Sequence, residues 1–331
     1  MLRPVGGVSN ISISSASTPA AVRAALSLIL APADRPAVER EVTEFLRIAA
    51  QRGIDLTKIV TVTEGGRMMW ALLPMPTLGR TLQLLSPNHL FETSQLEAAG
   101  HLIESVCTDY AASGSQLAQV LVEPSSSALR VLYRQHRFTE MAELKYLQAI
   151  PRPGRVAPDL PAEFSFEPYT AASHELFAAA IRASYRDSLD CPALNGMRDI
   201  DDVIAGHRAA AGPAGESEFD PRLWRVLLQR RPESPRPVPC GVLLLCRIDT
   251  HEAMELVYLG LASEVRRRGI GTILLRQALA DAANDNRRRL TLAVDSKNQP
   301  ALELYYRHGF QRVGDKIAMM RDLRTSRQTA V

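Results

Sequence analysis

Residues 125–138 read SSSALRVLYRQHRF, and residues 297–310 read KNQPALELYYRHGF. At an offset of 172 positions, the pairs Leu132/Leu304, Tyr133/Tyr305, His136/His308 and Phe138/Phe310 coincide. A phrase repeated at that interval constrains the fold more than any local preference, because self-similarity signals one architecture built twice. The surroundings extend the repeat. Each phrase follows a short apolar run ending in an acid, QVLVE (119–123) and TLAVD (291–295), and both runs read as buried strands. Before these lie helical patterns at 94–113 and 267–285, and before those the strand-like runs TLQLLSP (81–87) and MELVYLGLA (254–262). Strand, helix, strand, helix and a β-like tail therefore occur twice in the same order.

The Pro-rich stretch IPRPGRVAPDLPAE (150–163) lies between the copies and reads as a linker. The linear division is residues 1–150, a linker at 151–162, and residues 163–331. A chain of 331 residues favours two domains on length alone. The second half is the fuller copy. It opens with strand-like EFSFEPY (163–169), followed by helical SHELFAAAIRASYRDS (173–188), the loop LDCPALNGMR (189–198) and helical DIDDVIAGHRAA (199–210). WRVLLQR (224–230) and CGVLLLCRI (240–248) form a hairpin pattern, and AAGPAGESEFDP (210–221) reads as a flexible loop or a substrate lid.

The net charge of +3 is too small to imply nucleic acid or an anionic membrane as partner. The apolar stretch AAVRAALSLILA (20–31) is interrupted by Arg23 and too short to span a bilayer, so it reads as an amphipathic helix. Cys107, Cys191, Cys240 and Cys246 show no CxxC or CxxH spacing. They predict neither a metal site nor a disulfide framework, which fits a reducing cytoplasm.

The chemistry concentrates in YLGLASEVRRRGIGTILLRQAL (258–279). A strand ends near Leu261, a short loop follows, and a helix opens between Gly269 and Thr272. Gly269 and Gly271 leave the backbone N–H groups unshielded, and the helix dipole adds positive potential, which suits an anion such as a pyrophosphate. Arg266, Arg267 and Arg268 add formal charge at the rim. The loop alone also fits a simple tight turn. It lacks the GK[ST] ending of a P-loop and the acidic partner of a dinucleotide-binding fingerprint.

Asn298-x-x-Ala301-x-x-Leu304-Tyr305-x-x-x-Gly309-Phe310 follows the loop Arg266-x-x-Gly269-x-Gly271. Together they resemble the GNAT superfamily of N-acetyltransferases over roughly 163–323. The tandem plan, with a worn first copy and an intact second, is similar in architecture to mycothiol synthase. The resemblance implies an α/β (α+β) fold of two tandem GNAT-like domains, each a mixed, mostly antiparallel twisted sheet flanked by helices. It also implies direct acetyl transfer from acetyl-CoA, the co-substrate, to an amine acceptor, without a metal. Mapped onto this sequence, Arg266, Arg267, Arg268, Gly269, Ile270, Gly271 and Thr272 would hold the pyrophosphate. The main chain of Leu259, Gly260 and Leu261 would pair with the pantetheine arm as an added strand does. Asn298 would approach the pantetheine or cap its own helix, a role that Pro300 just inside the start also suits.

A lysine amine is only about 0.04% neutral at pH 7, whereas an α-amine is over about a tenth neutral, so a lysine-like acceptor needs a general base far more. Glu255, 14 residues before Gly269, has the spacing at which the resemblance places that base; its other reading is an exposed acid on an edge strand. Tyr305 would be the general acid that protonates the thiolate, with packing as part of its role because Tyr133 repeats it. His308 fits packing or a helix end, Cys191 a loop thiol, and Arg287–Arg289 a solvated turn. The resemblance implies that Tyr185, Arg186 and Asp190 lie on the helix–loop unit that shapes the acceptor pocket.

In the first copy, Gln95-Leu96-Glu97-Ala98-Ala99-Gly100 stands for the anion loop, with Ala98 for the first glycine and Glu97 facing the anion. Ser126 replaces Asn298, and Arg137 replaces Gly309. That copy keeps what packing needs and loses what acetyl-CoA needs. Three readings result: an N-acetyltransferase acting on a small-molecule amine, one acting on a protein lysine or N-terminal amine, and a non-catalytic acyl-CoA-binding regulatory module. Monomer and homodimer both stay open.

Overall fold

The computed structural model describes residues 11–31, 39–88, 93–154, 156, 159–194, 196–210, 219–248 and 252–324. Most of the 210–221 loop lies outside the described residues. By contacts the chain forms two compact units, residues 1–142 with 316–331, and residues 143–315.

The first unit runs β1 (Ile11–Ser15), α1 (Pro19–Leu30), α2 (Glu39–Gln51), β2 (Val60–Glu64), β3 (Arg67–Thr77), β4 (Thr81–Leu85), α3 (Thr93–Ala112), β5 (Leu117–Val122), α4 (Ser127–Gln135) and the start of β6 (Thr139–Ala149). The second contains β7 (Phe164–Pro168), α5 (His174–Tyr185), α6 (Ile200–Ala210), β8 (Trp224–Gln229), β9 (Val238–Ile248), β10 (Ala253–Leu261), α7 (Ile270–Asn284), β11 (Arg289–Asp295), α8 (Gln299–Arg307) and the start of β12 (Gln311–Asp322). The same ten elements thus occur twice in one order; the five-element repeat read from sequence is part of it, and the second copy is not the fuller one.

The units do not follow the linear division at 151–162. In the first, β12 pairs antiparallel with β5, from Ile317↔Val122 to Asp322↔Leu117. In the second, β6 pairs antiparallel with β11, from Leu290↔Ala149 to Asp295↔Leu144. Each copy therefore takes its last strand from the other. A linear reading misses this, because both tails have the same strand pattern and nothing local says which sheet they join. Within each unit the sheet is antiparallel except for one parallel pair, β4–β5 or β10–β11.

Layering follows from strands buried on both faces, which read as continuous apolar runs rather than alternating ones. In β9, Leu243 and Leu245 pack in the cluster with Leu275, Leu279 and Tyr305, while Val242 and Leu244 pack with Phe177, Ile181 and Ile204 on the other face. β3 does the same, with Trp70 and Leu72 against α3 and Ala71 and Leu73 against α1. Helices thus cover both faces of each sheet.

Candidate active site

The site is built by a strand that leaves its neighbour. β10 stays paired with β9 from Ala253↔Ile248 to Leu261↔Gly241, with a bulge between Leu256 and Tyr258. Its parallel pairing with β11 covers only Ala253↔Arg289, Met254↔Leu290 and Glu255↔Thr291. Beyond Glu255 the two strands part, and a cleft of about 580 Å³ opens between them. Leu259, Gly260 and Leu261 line it, with Asp190, Arg267, Gly271 and Tyr305.

Helix α5 presses closely on the splayed strand. A Cβ at Gly260 would lie 2.6 Å from Tyr258 Cε1, 2.7 Å from Ser184 Oγ and 2.9 Å from Ser184 Cβ. Ser184 Oγ donates to Ile181 O and shares a 2.8 Å hydrogen bond with Tyr258 Oη, so it cannot easily retreat. Gly260→Ala should therefore lower the unfolding free energy by about 1–3 kcal/mol, measured as the urea midpoint at constant m. An unchanged midpoint would mean that α5 is free to move.

After Leu261 the chain makes a 3-10 turn over Ser263–Val265 and enters α7 through two left-handed residues, Arg267 at φ 59° and Gly269 at φ 80°. No side chain caps this helix end. The two glycines do different jobs. Gly269 has open space where a Cβ would stand but a backbone that L side chains rarely adopt. Gly271 has ordinary helical backbone, and a Cβ there would stand at van der Waals distance, 3.5 Å from Leu304 Cδ2 and 3.7 Å from Leu261 Cδ1, inside the cleft.

The three arginines separate. Arg266 donates to four carbonyls, those of Leu261 at 2.9 Å, Asp187 at 2.9 Å, Ser184 at 2.7 Å and Arg186 at 2.8 Å. It ties the loop to the C-terminal end of α5, where a cation suits the helix dipole. Arg268 turns to Glu163, 3.0 Å away, and to the Phe164 ring. Arg267 is exposed and, like Arg266, lines the cleft.

On the opposite wall, Asn298 Oδ1 accepts the Ala301 N–H at 3.4 Å, and the Asn298 side chain favours the ionised form of Asp190. Burial holds the Asp190 carboxyl above its ordinary range all the same, and Asp295 adds to the shift. Tyr305 is 8% exposed, and burial, reinforced by Asp190, raises its phenol well above the usual value. Its hydroxyl has no hydrogen bond among the described residues. Ile270 is buried beneath the loop, and the Thr272 N–H is taken by the Gly269 carbonyl at 3.0 Å.

Glu255 stands where β10 and β11 part, outside the residues lining the cleft, with Cys246 Sγ 3.9 Å from its Oε2. Sequence reading missed Tyr146, whose phenol is pushed up to about 12 by burial and by the Glu255 carboxylate. Tyr146 belongs to the exchanged strand, opposite Ala293, and only the long-range pairing brings it here. The Cys191 thiol is likewise pushed up to about 12 by burial, which leaves it a poor nucleophile. His308 Nδ1 donates to the Leu304 carbonyl at 2.8 Å at the end of α8.

Residues 215–310 match the acetyltransferase (GNAT) family model. The match takes in the elements from β8 to α8. Among solved structures, a GCN5-related N-acetyltransferase from Sphaerobacter thermophilus is 16% identical, with a TM-score of 0.61 over 95% of this chain and 96% of that one. A GCN5-related glucosamine N-acetyltransferase region of a fungal multi-domain GH3 β-N-acetylglucosaminidase is 12% identical, with a TM-score of 0.60 over 95% of this chain and 38% of that one. A functionally unknown conserved protein from Staphylococcus epidermidis is 13% identical, with a TM-score of 0.51 over 77% and 91%. A search of curated proteins finds no match. Among the described residues no helix is long and apolar enough to cross a membrane, and no group of His, Cys, Asp and Glu could hold a metal ion.

Set beside the second copy, the first lacks the opening between its parallel strands. β4 is only five residues long and pairs with β5 from Thr81↔Leu117 to Leu84↔Val120, so that pair stays closed. The helical pattern read at 94–113 is α3, Thr93–Ala112, so the counterpart of the anion loop at residues 95–100 lies within a helix. Ala98 and Ala99 are buried in that helix, and the His136 ring lies directly over Gly100, in the space a Cβ would need. Glu104 gathers His136, Arg137 and Arg321 around this end. Tyr133, fully buried, donates its hydroxyl to Ser86 Oγ at 3.1 Å.

Proposed function

We propose that this chain transfers the acetyl group of acetyl-CoA to a small-molecule amine in the cleft between β10 and β11. The observation that carries the reading is the parting of these strands at Glu255↔Thr291, over a helix end that no side chain caps. Two features fit acetyl-CoA. A Cβ at Gly271 would fill part of the cleft, and Tyr305, which lines the cleft, makes no hydrogen bond through its hydroxyl among the described residues. The first N–H groups of α7, with Gly271 and Arg267, would hold the pyrophosphate. Main-chain groups of Leu259–Leu261, freed from β11, would pair with the pantetheine amides.

Acetyl-CoA supplies the thioester. Glu255 takes the proton of the amine as its nitrogen attacks the carbonyl carbon, and a main-chain N–H of 259–261 holds the oxyanion. When the C–S bond breaks, Tyr305 gives its proton to the departing sulfur. Raised above its ordinary range, the Tyr305 phenol stays protonated throughout neutral pH, as an acid must. A protein lysine or N-terminal amine is the second reading, favoured by a carboxylate placed where the strands part. Four cysteines without CxxC or CxxH spacing fit a cytoplasmic setting.

Titration calorimetry should find one equivalent of acetyl-CoA per chain, and an amine panel should release coenzyme A thiol in step with acetylated product. Two equivalents would mean that the first copy binds as well. Binding without transfer to any amine would leave a regulatory acyl-CoA-binding module.

A further inference from the structure

The exchanged strand β6 brings a tyrosine to the point where β10 and β11 part. Side chains that stand opposite each other on neighbouring strands share a face of the sheet. Glu255 stands opposite Cys246 and Thr291, and Tyr146 stands opposite Ala293, two residues along β11 from Thr291. All five therefore share one face, while Leu147, Met254, Leu256 and Leu292 fill the core on the other. Across β11 the strands of Glu255 and Tyr146 lie about 10 Å apart. Only the small side chains of Thr291 and Ala293 stand between, and Ala293 is exposed at the cleft. The Thr291 hydroxyl is spent on the Met254 carbonyl at 3.3 Å. The Glu255 carboxylate raises the Tyr146 phenol beyond what burial does, so the two groups feel each other across this gap. The Tyr146 hydroxyl makes no hydrogen bond among the described residues, and no other acceptor there competes for it. The first copy has the same places without the pair. Gln83, opposite Gln119, stands where Glu255 would be, and Ala318, opposite Leu121, stands where Tyr146 would be. Acid and tyrosine are thus present together where the strands part, and absent together where they stay closed.

We propose that Tyr146 is a positioning residue of the transfer site, donating its hydroxyl to the Glu255 carboxylate so that the base is aimed at the cleft and stays ionised. The inference rests on the acetyl-transfer reading, in which Glu255 takes the amine proton. Glu255 is half-buried, with Cys246 Sγ 3.9 Å from Oε2 on its other flank. Burial favours the protonated carboxyl, which cannot act as a base, and a donor bonded to the charged form works against it. A tyrosine suits the task because, pushed up to about 12, it keeps its proton wherever the base works. Hydrogen bonds of this kind tighten when substrate is bound. Tyr146 neither gains nor loses a proton, and the amine proton goes to Glu255. The strand exchange thereby acquires a chemical role, since the tail of the first half supplies a residue that serves the base of the second.

The test is carbon-13 NMR of the full chain labelled at glutamate carboxyl carbons, saturated with coenzyme A and assigned through the backbone. Titrated with acid, Glu255 should protonate about 0.5–1 pH unit higher in Tyr146→Phe than in the wild type. The acidic limb of kcat/KM should move up by the same amount, with the Kd for acetyl-CoA unchanged. A ring that only packs would leave the titration in place, because phenylalanine fills the same space, so an unmoved Glu255 signal would overturn the proposal. If Tyr146→Phe does not fold, tyrosine ζ-carbon labelling of the wild type and Glu255→Gln decides alone. The Tyr146 phenol should then ionise at lower pH once the carboxylate is gone, and an unchanged phenol would overturn the proposal. A Glu255 signal that moves while the kcat/KM limb stays would sink Glu255 as the base and leave the bond between the two side chains standing. Failure of coenzyme A to bind would sink the acetyl-transfer reading instead, and the same titration without it would still decide the bond.

Discussion

Gly271→Glu is expected to abolish acetyl-CoA binding and leave the protein folded. The two halves of that result have separate causes. Position 271 has ordinary helical backbone, and the nearest atoms to an added Cβ are flexible leucine methyls at 3.5 and 3.7 Å, so the side chain is accommodated without a clash. A carboxylate there projects into the cleft at the end of α7 that attracts anions. Against a pyrophosphate about 4 Å away it costs roughly 4 kcal/mol, or about a thousandfold in Kd. A negative side chain in the first turn is favourable for the helix itself, so the melting temperature should hold or rise slightly. Calorimetry gives the first quantity and a melting curve the second. An unchanged Kd would show that the pyrophosphate does not lie on α7. Gly100→Glu in the first copy should do the reverse, since its Cβ would drive into the His136 ring and destabilise the fold without touching acetyl-CoA.

That contrast shows what a sequence can reveal here. Gly269, Gly271 and the start of α7 were legible because a turn, a helix start and a missing Cβ are local properties. Asn298 with Pro300 announced a helix cap for the same reason, and the structure supplies the cap at Ala301. What was not legible depends on partners far along the chain. Nothing near Arg266 says that it will hold carbonyls of residues 184–187, and nothing near Arg268 points to Glu163. Asp190 and Asp295 meet across 105 positions, a pairing that no spacing rule contains. The exchanged strands carry the same lesson. The tails at 139–149 and 311–322 were both recognisable as strands, but their partnership with β11 and β5 is a property of the assembled sheets. The stretch 95–100 that stands for the anion loop lies within α3 for a local reason, because Ala98 and Ala99 favour a helix, whereas Gly269 in left-handed backbone only precedes one.

Replacing the repeated tyrosine in each copy separates chemistry from packing within one molecule. Tyr305→Phe removes a hydroxyl that bonds to nothing among the described residues, so stability should change little. Transfer should slow by about a hundredfold in kcat, the low end of general acid catalysis, because a thiolate leaves tolerably unaided. The Kd for acetyl-CoA should not move. Tyr133→Phe removes a donor from Ser86 in a fully buried setting, which should cost about 1–2 kcal/mol of stability and nothing in kcat. The pH dependence follows from burial. With the Tyr305 pKa raised in the folded state, the phenol stays protonated through the unperturbed value near 10, so no basic limb in kcat should arise from it below that pH. The same raised value means that its contribution to stability is fully present below pH ~10 and is lost as pH climbs from there through the folded pKa. Equal kcat losses from both replacements would reduce Tyr305 to a packing residue. A loss confined to Tyr305→Phe, with an unchanged melting temperature, would make its hydroxyl the acid, since an aromatic ring of the same shape still fills the space beside Phe310.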